Sequence, residues 1–231
     1  MNFKFSIVIP CFNEELTVSE VVSNICISFS NDLVVVVDDG STDNSFEILE
    51  RLNFSNLHLI RIEKNKGKGH AMRTGLNFVK TKSDVIIFTD ADKEILIKDL
   101  IKVKEYYLEN DCIALFGSRF LSIKFRKVIQ MGLHRYLANR FLTFVANILF
   151  KQKLSDMETA VKSFRLSKFQ ELKLQSDGFE IEPELVKEIS KSGIKIKEIP
   201  ISYEPRSNKE GKKISFKDGY LTLKYLINLA R

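Results

Sequence analysis

Nothing in this chain is apolar and uncharged for long enough to cross a bilayer as a helix. The longest such run, FLTFVANILF from Phe141 to Phe150, has ten residues, about half of the roughly 20 that a span requires. The opening MNFKFSIVIP reaches Pro10 too early for a secretory leader and reads as a first strand. Cysteine is scarce: Cys11, Cys26 and Cys112 are odd in number and form no C-x-x-C pair. A disulfide frame and a zinc site are therefore excluded, and buried thiols in a reducing, cytoplasmic compartment are expected. No internal repeat, low-complexity tract or Pro/Gly-rich joint divides the chain, so one domain is expected over residues 1–231. Two glycine-rich phosphate signatures are missing as well. There is no G-x-x-x-x-G-K-[ST], and no G-x-G-x-x-G follows the first strand, which removes the main support for an ATPase or a dinucleotide enzyme.

What is present is modestly basic. Lys and Arg outnumber Asp and Glu by 36 to 30, a formal charge of +6, which favours anionic partners without choosing among phosphates, acidic lipid and nucleic acid. Over the first half, strand-like runs (FKFSIVI, DLVVVV, LHLIRI, DVIIFT, CIALFG) alternate with segments of helical length at 14–28, 43–52, 70–80 and 97–108. Such alternation predicts an α/β fold, a mainly parallel sheet with right-handed crossovers. The unbroken Val/Ile runs predict strands covered on both faces.

In such a sheet, ligands bind beyond the carboxyl ends of the strands. The four segments that follow the first four strands are PCFNEE, DDGSTD, EKNKGKG and DAD, and all carry carboxylates or a Gly/Lys cluster. Asp38 and Asp39 are accordingly expected to belong to a convergent site, with helix capping secondary. Asp90 and Asp92 flank one small residue on an extended segment and suit a hard divalent cation, Mg²⁺ or Mn²⁺, with Glu94 as a third carboxylate. Lys64, Lys66 and Lys68, with Gly67 and Gly69, could offer amides and charge to a diphosphate. A solvated basic turn is the plainer alternative there. His58, His70 and His134 lack metal-ligand spacing and read as structural, with His134 beside Arg135 the one worth testing near an acceptor.

VIPCFNEE, VVVVDDGSTDNS, NKGKGHAMRTGL and IIFTDAD together resemble the successive motifs of family 2 glycosyltransferases with the GT-A fold. GSR at 117–119, DMETAVKSF at 156–164 and ISYEPRSNKEGKKISFKDGY at 201–220 continue the resemblance toward the polyprenol-phosphate or dolichol-phosphate mannose and glucose synthases. It implies a nucleotide-sugar half at 1–118 and an acceptor half with amphipathic helices at 119–231. Pro10, Phe12 and Glu14 would line the nucleotide pocket, and Asp39 would bond the base. Asp90, Asp92 and Glu94 would hold the metal against the diphosphate. Arg119 and Arg206 would contact phosphates, Lys212 and Lys213 would ride on a closing loop, and Asp156 and Glu158 would face sugar and acceptor.

The implied reaction is inverting transfer from a nucleoside diphosphate sugar, of the GDP-mannose or UDP-glucose class, to a polyprenyl phosphate. A phosphate acceptor needs no strong base, whereas a hydroxyl acceptor would need Asp156 or Glu158. A glycosyltransferase acting on a hydroxyl acceptor and a catalytically silent sugar-nucleotide-binding module are the alternatives. A nucleotidyltransferase lacks its Arg-containing glycine loop here. Leu137, Phe141, Phe144, Val145 and Ile148 fall at helical spacing, consistent with a core helix or with one lying on the cytoplasmic face of a membrane.

Overall fold

Four valines in a row, Val34 to Val37, divide between two cores. Val35 and Val37 join one and Val34 and Val36 the other, because successive side chains of a strand point to opposite faces. The computed structural model describes residues 3–205 and 216–229, with side chains in the last segment from 219 onward. Five strands follow in chain order: β1 (Phe5–Cys11), β2 (Leu33–Asp38), β3 (Leu57–Arg61), β4 (Val85–Phe88) and β5 (Ala114–Ser118). Between them lie α1 (Val18–Ser28), α2 (Ser45–Glu50), α3 (Lys68–Val79) and α4 (Ile97–Glu109), close to the expected bounds.

The second half adds α5 (Phe125–Met131), α6 (Leu133–Phe150), β6 (Lys162–Arg165), α7 (Ile181–Lys191), β7 (Lys197–Pro200) and α8 (Phe216–Leu229). The seven strands among the described residues are ordered β3-β2-β1-β4-β6-β5-β7. All neighbours run parallel except at β6, which is antiparallel to both β4 and β5. One face is covered by α3, α6 and α7 through Met72, Leu76, Leu142, Ala146, Leu185 and Ile189. The other is covered by α1, α2 and α4 through Val18, Val22, Leu49, Leu100 and Val103.

The reversed strand brings a further segment to the functional edge. Its first residue, Lys162, lies opposite Phe88 at the end of β4 and Phe116 in β5. The segment preceding β6, DMETA, therefore arrives at the same sheet edge as the loops that leave the parallel strands.

The helix through 137–148 is not an ordinary core helix. Only Leu142, Thr143 and Ala146 of α6 are buried. Phe125 and Ile129 of α5, and Leu133, Leu137, Phe141, Phe144 and Ile148 of α6, are more than half exposed, forming an outward apolar stripe at steps of three or four residues. Among the described residues no helix is long and apolar enough to cross a membrane.

Candidate active site at the carboxyl edge of the sheet

The loops after β1 and β2 are sewn together by the polar residues of STDNS. Ser41 Oγ accepts from Asn13 N–H (2.9 Å), Ser45 Oγ from Glu14 N–H (2.7 Å), and Asp43 from Glu15 N–H (3.2 Å). In return Asn13 Oδ1 accepts from Thr42 N–H at 2.7 Å. This fixes PCFNE at the mouth of a cavity of about 910 Å³, where Pro10, Phe12 and Glu14 form part of the wall. Gly40 is required: its φ is +69°, and a Cβ there would stand 2.6 Å from the backbone nitrogen of Asn65.

The two aspartates of DDG have different fates. Asp39 lines the cavity and accepts from the amides of Lys66 (3.1 and 3.3 Å) and Gly67 (2.7 Å). Burial pushes its carboxyl up, against the downward pull of those two amides. Asp38 is buried and absent from the cavity wall; its Oδ2 accepts from Ser41 N–H at 3.2 Å. Its expected membership of the convergent site is thus corrected to a turn-forming role, and helix α2 has no side-chain cap.

The Gly/Lys loop is corrected too. The amides of Lys66 and Gly67 are taken by Asp39, and that of His70 bonds the carbonyl of Asp177, so they do not form an open phosphate cradle. Gly67 and Gly69 instead allow close backbone approach: a Cβ on either would lie 2.4 or 2.3 Å from a carbonyl oxygen of Asp177 or Ser176. Lys64 and Lys66 are exposed. The loop contributes Asn65, Gly67 and Lys68 to the cavity wall, and the charge among them is that of Lys68.

Lys68 Nζ lies 3.0 Å from Asp90 Oδ1, 3.3 Å from Asp90 Oδ2 and 3.0 Å from Glu182 Oε1. Glu182 also pairs with Lys162, which is wholly buried and bonds the carbonyl of Thr159. Burial alone would lower the Lys68 ammonium, but Asp90 and Glu182 outweigh it and hold it well above its ordinary range. Glu182 is burdened by burial yet held low by its two lysines. Glu158 stands in the same wall with Oε1 buried and without a hydrogen bond. Burial, followed by the charge of Glu182, pushes its carboxyl up to about 7.

Asp90 and Asp92 both line the cavity. Asp92 Oδ1 accepts from Glu94 N–H at 3.1 Å, and Ala91 C=O accepts from Thr17 Oγ1 at 2.8 Å, which fixes the loop. Among the described residues, no three His, Cys, Asp or Glu side chains converge as a ligand set. Glu94, following Lys93 at φ +61°, lines the same cavity and is hydrogen-bonded by the Tyr203 side chain. Asp90 and Asp92, with Glu94 beside them, offer the carboxylate oxygens that a hard divalent cation favours.

Arg119 enters the wall after β5, anchored by Asp156, and its guanidinium lies 5.3 Å from the ring centre of Tyr203. Burial works against its charge and Asp156 more than restores it. Asp156 itself is fully buried and absent from the cavity wall, so its expected position facing sugar and acceptor is corrected to a support for Arg119. Arg206, Lys212 and Lys213 lie outside the described residues.

Sequence reasoning missed Glu182, Lys162 and Tyr203. Glu182 looks like one more acid in the first turn of a helix; Lys162, within DMETAVKSF, and Tyr203, within ISYEPRSNK, lay in stretches that offered a signal. The far wall is made by His134, Arg135, Asn139, Phe141 and Leu142 from α6 and by Tyr220, Thr222 and Leu223 from α8. That wall is mixed: Phe141, Leu142 and Leu223 are apolar, and His134, Arg135 and Asn139 add polar and positive groups.

Residues 6–173 match the family model for glycosyl transferase family 2. The chain is 28% identical over 212 residues to the UDP-N-acetylglucosamine–dolichyl-phosphate N-acetylglucosaminyltransferase of Methanococcus voltae, covering 84% of this chain and 83% of the relative. It is 29% identical over 215 residues to the dolichol-phosphate mannosyltransferase of Pyrococcus furiosus, covering 90% of this chain and 59% of the relative. Glucosyl-3-phosphoglycerate synthase from Mycobacterium tuberculosis, solved with Mn²⁺, UDP and glucosyl-3-phosphoglycerate, superposes with a TM-score of 0.69 at 17% identity, over 99% of this chain and 80% of that one. The architecture is the GT-A fold, and the chain belongs to glycosyl transferase family 2.

Proposed function

We propose that the chain moves a sugar from a nucleoside diphosphate sugar to a polyprenyl phosphate, with inversion, at the cytoplasmic face of a membrane. The observation that carries this reading is a charged cavity that adjoins an exposed apolar stripe. Carboxylates and cations meet at the sheet edge, and Phe141 belongs both to the cavity wall and to the exposed stripe of α5 and α6. A phosphate head with a hydrocarbon tail matches the cavity and the stripe together. The relatives named for dolichyl-phosphate and dolichol-phosphate transfer support that acceptor class.

Asp39 would receive the base, beside Pro10, Phe12 and Glu14, as the donor half within residues 1–118. Asp90 and Asp92 would hold Mg²⁺ or Mn²⁺, which when bound neutralises charge that grows on the departing diphosphate. Lys68 and Arg119 would add fixed positive charge on the same side. Such groups accelerate transfer to the extent that they bind the developing charge more strongly than the ground state. The acceptor phosphate, entering along residues 119–231, is already an anionic nucleophile. What it requires is cancellation of repulsion between two anions, a role suited to Arg119, whose Nε–Nη2 edge is held by Asp156 and whose charge faces the cavity, and by resemblance to Arg206, Lys212 and Lys213. The apolar stripe would seat in the membrane interface, flanked by the exposed Lys124 and Arg126, which favour acidic headgroups.

A second reading has one specific observation behind it. Glu158, which lines the cavity and is raised to about 7, has the properties of a general base for a hydroxyl acceptor. A panel of labelled nucleotide sugars, incubated with short-chain polyprenyl phosphate and Mg²⁺ or Mn²⁺, tests the proposal. Label passing into organic solvent is expected; label remaining water-soluble with every donor would overturn it.

A further inference from the structure

Lys68 is bonded to an aspartate that a metal ion would also need. Its ammonium is shared between Asp90, at 3.0 and 3.3 Å, and Glu182, at 3.0 Å. Of these two acids, Asp90 is the more exposed, with 30% of its side chain accessible against 3% for Glu182. Glu182 does not depend on Lys68 alone, since the buried Lys162 pairs with its other oxygen. The row Asp90, Lys68, Glu182, Lys162 is therefore neutral as it stands, two acids against two bases.

A dication brought to Asp90 and Asp92 with Lys68 in place would stand beside an ammonium bonded to the same carboxylate. Like charges sharing one ligand within a few ångströms repel strongly in a partly desolvated site. A nucleoside diphosphate changes that balance, because its oxygens can receive both cations. We propose that Lys68 occupies Asp90 when no nucleotide is bound and is exchanged for the metal only when a nucleoside diphosphate arrives, so that metal and diphosphate bind as a coupled pair. This rests on the reading of Asp90 and Asp92 as the metal-holding acids. After the exchange, Lys162 still neutralises Glu182, so Lys68 is released toward the diphosphate without stranding a buried carboxylate.

Coupling between two ligands is reciprocal and is typically worth about 5- to 150-fold in affinity. The test is Mn²⁺ binding, followed by paramagnetic resonance of the free ion, for the whole chain with and without saturating GDP or UDP. Wild type is expected to bind Mn²⁺ weakly alone and at least about tenfold more tightly with one of the nucleotides. Lys68→Met should bind Mn²⁺ alone about tenfold more tightly than wild type and gain less from nucleotide. Adding Asp90→Asn to Lys68→Met should abolish that gain, a result that a purely structural lysine would not give. If Lys68→Met does not fold, the wild-type pair of measurements still decides. Mn²⁺ bound by wild type as tightly without nucleotide as with it overturns the exchange while leaving the metal site intact. No Mn²⁺ bound under any condition overturns the exchange and the metal reading together.

Discussion

Asp156 grips Arg119 at three points: its Oδ2 accepts from the backbone N–H at 3.0 Å and from Nε at 2.7 Å, and its Oδ1 accepts from Nη2 at 2.7 Å. Glu198 holds the other side by accepting from the amides of Ser155 (2.7 Å) and Asp156 (3.1 Å). Both partners of the ion pair are buried, so removing one leaves an uncompensated charge, at a cost of about 3–5 kcal/mol. Asp156→Ala should therefore lower the melting temperature as well as abolish transfer. Arg119→Lys should lose activity with a smaller stability cost, because a lysine cannot reproduce the fork. Thermal melts and initial rates on both variants check this; an active, fully stable Asp156→Ala would contradict it.

Asp39 separates folding from donor recognition when the substitution is chosen well. Asp39→Asn retains one oxygen for the amides of Lys66 and Gly67 but turns a donor toward the base. Its melting temperature should stay close to wild type while the donor KM rises about tenfold or more, from loss of one hydrogen bond to a charged group, with kcat little changed. An unchanged KM would leave Asp39 as a loop anchor only.

Glu158 should make stability fall as pH rises. Its carboxyl is lifted to about 7 by burial and by Glu182 on α7, with Lys162 on β6, Arg119 after β5 and Lys68 on α3 pulling the other way. The unfolded group ionises near 4.5. Between those values the folded protein holds the extra proton, so stability drops across that window and levels off above it. Glu158→Gln should lack this drop, gaining up to about 3 kcal/mol over wild type by about pH 8 and little near pH 4. Urea melts across that pH range decide; parallel curves for the two proteins would contradict the assignment.

Phe144 and Ile148 lie on the exposed stripe at 60% and 62% accessibility, away from the cavity wall. Replacing both by Ser should weaken binding to vesicles containing acidic lipid by about tenfold or more, since each side chain contributes on the order of 1 kcal/mol when partly inserted. The melting temperature should hold or rise. Unchanged vesicle sedimentation would mean that the stripe does not meet a membrane.

Much of the sheet was legible because its strands are buried on both faces, and a run such as Val34–Val37 suits little but a doubly covered strand. The acids of DAD and the second Asp of DDG were legible from their position at strand ends. β6 was not: KSFR contains one large apolar residue, and its Lys162 is buried only because Glu182, 20 residues later, pairs with it. Pairings of that kind depend on tertiary placement that no local pattern records. The same holds for Asp156, whose role is defined by Arg119, 37 residues before it, and for Glu94, which bonds Tyr203 from a distant part of the chain.

If the nucleophile is a phosphate on a lipid, the enzyme should distinguish that phosphate from the alcohol that carries it. The most direct measurement compares sugar transfer by the wild-type chain to a short polyprenyl phosphate and to the matching free polyprenol, with the same labelled donor and cation. Transfer to the phosphate alone, retained in part by Glu158→Gln, is the predicted result. Transfer to the free alcohol, abolished by Glu158→Gln, would contradict it and make Glu158 the base of a hydroxyl-directed enzyme.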